Sequence, residues 1–157
     1  MVSGQLSHEL EINAAASKAW ELYSTLELAK LAERELKEVL DKTEIVEGDG
    51  GQGTVLKLTF KPGVLGFSSY NEKFTKIDHE NRVKEAEVVE GGYLELGFTL
   101  YRVRFEIVEK AEGSCIVKST IEYELKEEAA ANASFVSIQA LANLAENAKN
   151  YLTQNKA

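Results

Sequence analysis

Leu6, His8, Leu10 and Ile12 alternate with polar neighbours in the segment "QLSHELEI", a period of two that predicts a first strand with one buried face. The rhythm then lengthens. In "AASKAWELYSTLELAKLAERELKEVL", Ala15 to Leu40, apolar residues recur at helical spacing, and Ser24 and Thr25 interrupt them, which predicts two short helices. From Lys42 to about Leu125 the period of two returns in the runs "KTEIVEG", "TVLKLTF", "SYNEKFTKI", "RVKEAEVVE", "YLELGFTLYRVRFEIVE" and "CIVKSTIEYEL". Short turns containing Gly, Asp or Asn separate these six runs, as in an antiparallel meander. After Glu127 helical spacing resumes, and Ile138, Leu141, Ala145, Ala148 and Leu152 mark one stripe of a long C-terminal helix.

That order predicts an α+β fold in a single domain over residues 1–157: a curved seven-stranded antiparallel sheet around one long helix, with two short helices beside it. A sheet curved enough to wrap a helix cannot pack flat against it, so an internal cavity is expected. The glycine-rich "EGDGGQGT" joins two strands and lacks the Gly-Lys-Ser/Thr ending of a nucleotide-phosphate loop, so it reads as a hairpin connection.

Charge and composition then narrow the partner. Acidic residues outnumber basic ones 26 to 18 and no long Lys/Arg run interrupts that excess, which argues against nucleic acid and against an anionic membrane surface. No apolar run is long enough to span a bilayer. A small-molecule ligand is the expected partner. Cys115 is the only cysteine, and "MVSGQLSHEL" has no charged-then-apolar signal pattern, so the expected setting is a reducing cytoplasm. With two histidines and no Cys/His cluster, a metal site is not expected. His8 reads as a core or rim residue and Cys115 as inert. Asn132-Ala133-Ser134 matches a glycosylation acceptor but reads as the entry to the last helix.

The segment "SYNEKF" carries the candidate chemistry. On a strand, Tyr70, Glu72 and Phe74 share one face and Ser69, Asn71 and Lys73 the other, so the apolar face holds a carboxylate. Burying it is expensive unless it is paired or used. A structural ion pair and a catalytic role both fit that pattern. Lys84 shares a face with Ala86 and Val88, opposite Glu85 and Glu87, although a lysine near a strand end ordinarily reaches for solvent. Tyr101, Val103 and Phe105 on the next run, and Ser119, Ile121 and Tyr123 on the last, are by the same alternation expected to face the cavity.

Four stretches together, "EGDGGQGTVLKLTF", "YNEKFTKIDHENRVKE", "VEGGYLELG" and "CIVKSTIEYEL", resemble the plant pathogenesis-related class-10 family, whose type member is the major birch pollen allergen. "QLSHELEI", "AWELYSTLELAKL" and "VEGGYLELGFTLY" are most similar to its norcoclaurine synthase and norbelladine synthase branch. The resemblance implies a helix-grip fold with an internal cavity. It also implies condensation of dopamine or tyramine with an aromatic aldehyde, with no metal or organic cofactor. It places the branch's Tyr-x-Glu motif on Tyr70 and Glu72 and its catalytic lysine on Lys84. The aspartate of norcoclaurine synthase falls on Val103, so carbon–nitrogen condensation is the firmer expectation and ring closure the weaker. Members of the same family that only carry hormones or flavonoids give the alternative, a non-catalytic binding protein. A carrier has no need for Tyr70, Glu72 and Lys84 together.

Overall fold

A computed structural model of the chain describes residues 1–154. Its sheet has seven strands: β1 (Val2–Ile12), β2 (Leu40–Glu47), β3 (Val55–Phe60), β4 (Ser69–Asp78), β5 (Val83–Gly91), β6 (Phe98–Ala111) and β7 (Ser114–Leu125). They run antiparallel in the order β1-β7-β6-β5-β4-β3-β2, so β2 to β7 form an unbroken meander and β1 closes against β7. Two short helices, α1 (Ala16–Tyr23) and α2 (Glu27–Glu35), follow β1, and α3 (Gln139–Gln154) ends the fold.

The alternation read from the sequence is the alternation of the sheet. Along β5, Lys84, Ala86 and Val88 are buried while Glu85 and Glu87 lie on the outer side. There Arg102 and Arg104 of β6 bridge Glu85 and Glu87 of β5 to Glu122 of β7. Charge on the convex side thus holds neighbouring strands in register, and the concave side is left to apolar groups. α1 packs on the β1, β6 and β7 side of that concavity in a cluster with Ile12, Trp20, Tyr23, Phe105, Ile107, Val117 and Leu144. Trp20 Nε1 donates to His79 Nδ1 at 3.1 Å and pins α1 to the β4–β5 turn.

Three segments differ from the sequence expectation. Tyr93–Leu96 is not strand: Gly92–Leu96 form a turn of 3₁₀ helix, made possible by positive φ at Gly91, Gly92 and Gly97, and β6 starts at Phe98. The second helix stops at Glu35 rather than reaching Leu40, which already belongs to β2. Glu127–Phe135, including Asn132, are 3₁₀ helix, and α3 begins only at Gln139. No helix among the described residues is long and apolar enough to cross a membrane.

Candidate active site

The concave face of β3–β6, with α2 and the first turns of α3 laid over it, encloses a cavity of about 150 Å³. Its wall is apolar except for Thr43, Tyr70, Glu72 and Lys84. Leu28, Ala32 and Leu36 recur at four-residue spacing on the α2 side, Leu56, Leu58 and Phe60 alternate along β3, and Ala140, Leu141 and Leu144 come from α3.

Lys84 is only 3% exposed, which decides against the solvent-facing reading of this residue. Its Nζ donates to the main-chain carbonyl of Tyr23 at 3.0 Å and lies 3.9 Å from the centroid of the Phe74 ring. Tyr23 is the last residue of α1, so this carbonyl is one that a helix end leaves without an internal partner, and a cation there also meets the negative end of the helix dipole. Burial nevertheless dominates. It lowers the Lys84 pKa from 10.5 to about 8, and the charge of Glu72 offsets part of that shift.

Glu72 is the counterpart. It lies on the cavity wall between Tyr70 and Phe74, and burial raises its pKa from 4.5 to about 7 while Lys84 pulls it back. Tyr70 packs its ring at 5.1 Å from Phe60, 5.9 Å from Phe67 and 6.2 Å from Tyr93. Burial first, then Glu72 and Tyr93, raise its pKa well above the usual phenol value, so its hydroxyl stays protonated. One cavity thus holds an acid, a base and a phenol: Lys84 is buried, Glu72 and Tyr70 are half-buried, and partial loss of water moves the ionisation of all three.

Val103 and Phe105 line the same cavity. Tyr101, Ser119, Ile121 and Tyr123 do not, contrary to the expectation from alternation. Tyr101 stacks on Tyr93 with ring centroids 3.8 Å apart and a 5° interplanar angle, and Ile121 is buried with Val88, Phe98 and Leu125. Ser119 is fully buried, and its Oγ has no hydrogen-bond partner among the described residues. Tyr123 packs edge-on to Phe98 and over Gly4, where a Cβ would lie 2.2 Å from its hydroxyl oxygen. Strand alternation gives the face a side chain takes but not how far the cavity extends along it, and α3 meets the sheet over β1 and β7.

Sequence reasoning missed the α2 and β3 wall, for which the apolar spacing was an available signal. It also missed the Tyr23 carbonyl, for which a main-chain group offers none.

Residues 1–155 match the family profile of the pathogenesis-related protein Bet v 1 family. The chain belongs to that family. Norbelladine synthase from Narcissus pseudonarcissus is 47% identical over 156 residues, covering 99% of this chain and 96% of that protein. Among solved structures, a Thalictrum flavum norcoclaurine synthase point mutant in complex with a transition-state analogue superposes with a TM-score of 0.91 at 37% identity, covering 99% of this chain and 98% of that one. The same enzyme in complex with dopamine and hydroxybenzaldehyde gives 0.88 at 37% identity, covering 99% and 90%. This family member is thus similar, over nearly its whole length, to two kinds of condensing synthase.

Proposed function

We propose that this chain condenses an aromatic ethylamine, dopamine or tyramine, with an aromatic aldehyde, releasing water and forming a carbon–nitrogen double bond. The observation that carries the reading is the buried Lys84 beside Glu72 on an otherwise apolar wall. A pure carrier would gain stability from replacing that lysine with an apolar residue, since desolvating an ammonium opposes folding.

The amine adds to the aldehyde carbon to give a carbinolamine, whose hydroxyl leaves as water when a proton reaches it while the nitrogen lone pair forms the C=N bond. Lys84, as the ammonium, supplies that proton. Where the reaction continues to ring closure, an aromatic carbon attacks the protonated C=N bond, and the Glu72 carboxylate removes the ring proton that restores aromaticity. Tyr70 holds a phenolic hydroxyl by hydrogen bond. Neither step transfers electrons to or from the protein, so an acid, a base and alignment of two rings in a dry cavity suffice. Val103 puts an aliphatic group where a carboxylate would hold Lys84 charged, and this favours the open-chain imine as product. The buried Cys115, the only cysteine, fits a reducing, cytoplasmic setting.

Mixing the protein with dopamine or tyramine and a panel of aromatic aldehydes tests the reading. Borohydride trapping counts the imine and chiral chromatography the cyclised product. Turnover above the uncatalysed background is expected, falling about 10²-fold or more in Lys84→Met, which keeps the aliphatic stem. Parental turnover in that variant would remove Lys84 from the mechanism.

A further inference from the structure

Three of the four polar side chains on the cavity wall have been given work; the fourth is Thr43. It sits on β2, the edge strand of the sheet, where an unpaired row of main-chain N–H and C=O groups would otherwise face outward. Glu33 of α2 reaches across and accepts both the Thr43 N–H, at 2.9 Å, and the Thr43 hydroxyl, at 2.8 Å, on the same Oε2. A carboxylate only accepts, so the threonine hydroxyl has only one orientation in that bond: its proton goes to Glu33 and its oxygen keeps only acceptor capacity. Besides Glu72, the wall thus carries at Thr43 a fixed acceptor that can take a hydrogen bond from a donor but offers none of its own.

The register locates it. Thr43 stands opposite Leu58, and Leu58 opposite Tyr70, so Thr43 lies two strands, roughly 10 Å, from Tyr70, whereas Lys84 is one strand farther on and pairs with Ile77, well along β4 from Tyr70, so Thr43 is farther from Lys84 than from Tyr70. An aromatic ring engaged near Lys84 leaves this end of the wall, on the Tyr70 side, to the second ring.

We infer that Thr43 is a specificity-determining residue that accepts a hydrogen bond from a hydroxyl on the aromatic ring farther from Lys84. The inference rests on the condensing reading for the presence of two rings, while the acceptor itself rests on the Thr43–Glu33 geometry. A phenol bound there heads a chain of hydrogen bonds that ends on the Glu33 carboxylate, in which each bond polarises the next. A substrate lacking the hydroxyl forgoes that bond on an otherwise apolar stretch of wall, which is how a site discriminates against a deoxy analogue.

The test compares hydroxylated and unhydroxylated partners: tyramine against phenethylamine, and 4-hydroxybenzaldehyde against benzaldehyde. Affinity is measured by calorimetry and kcat/KM by condensation, in the parent, Thr43→Val and Thr43→Ser. Valine keeps the shape, the β-branching and the N–H to Glu33. In the parent, the hydroxylated member of one pair is preferred by about tenfold. Valine brings that ratio near unity and serine restores it, and the pair that responds tells whether the amine or the aldehyde occupies the far end. A ratio that is the same in Thr43→Val as in the parent, for both pairs, overturns the assignment. Absence of turnover with every pair defeats the condensing reading instead, and the calorimetric ratios then still decide Thr43.

Discussion

Glu72 and Lys84 are kept in an environment that supports neither charge well, and carrying the condensation through to ring closure needs both charges. The base requires Glu72 deprotonated, above about 7, and the acid requires Lys84 protonated, below about 8. The rate of forming ring-closed product is therefore expected to rise and fall with pH around a maximum between those values, and a flat kcat/KM profile for that product from pH 6 to 9 would dismiss this pair as the working acid and base. Stability should run the other way. The folded Glu72 pKa is raised above 4.5, so its contribution is fully present below that pH and is lost as pH rises through about 7. The folded Lys84 pKa is depressed below 10.5, so its contribution is present above that pH and is lost as pH falls through about 8. The pair is least favourable to folding in the pH window where it is most active. Unfolding in urea at pH 5, 7.5 and 10 checks this: the free energy of the parent minus that of a Glu72→Gln, Lys84→Met double variant should be lowest at pH 7.5. That both side chains point inward was legible from alternation alone. The carbonyl that receives Lys84 was not, since it belongs to the peptide chain and not to any residue type.

Among the elements, the 3₁₀ turn over Gly92–Leu96 is where pattern reading failed and where the site has a dependency. Tyr93, Leu94 and Leu96 are apolar enough to extend a strand, and only the glycines around them argue otherwise. Gly92 is needed twice over. Its φ is +55°, and a Cβ there would lie 2.7 Å from Tyr70 Cβ and 2.8 Å from Tyr70 Cδ2. Gly113 shares the positive φ, +82°, but a Cβ there meets nothing within 4 Å. Alanine at either place should lower stability by about 1–2 kcal/mol through backbone strain. Only Gly92→Ala should also displace Tyr70 and reduce turnover, so equal activity in the two variants, measured by condensation rate beside urea midpoint, would show that the fit of Tyr70 against this turn is immaterial. The early end of α2 has a similar origin. "LKEVL" continues the helical spacing, but Leu40 finds a strand partner in Phe60, and pairing across the sheet outweighs local propensity.

For the molecule as a whole, element order and strand alternation were enough to foresee a curved sheet wrapped on a helix, because a meander of half-buried strands has few ways to cover one face. The extent of the cavity was not foreseeable, because it depends on where the helices lie over the sheet. That same dependence has a thermodynamic consequence. The wall is shared by α2, the concave sheet and α3, three parts of the chain that face one another across the hollow. A bound aromatic molecule therefore serves as the core that these elements lack, and it does so only in the native chain. Occupancy and melting are then linked by mass action: at a free ligand concentration a hundred times its Kd, binding adds about 2.7 kcal/mol, which for a chain of this size raises the Tm by roughly 5–10 °C. Differential scanning calorimetry with a graded series of tyramine concentrations should show that rise, and Ala29→Phe, which fills part of the wall, should suppress it. A melting temperature that stays put at every tyramine concentration would mean that tyramine does not bind the native chain in preference to the unfolded one, and would remove it as the filler of the interval between sheet and helices.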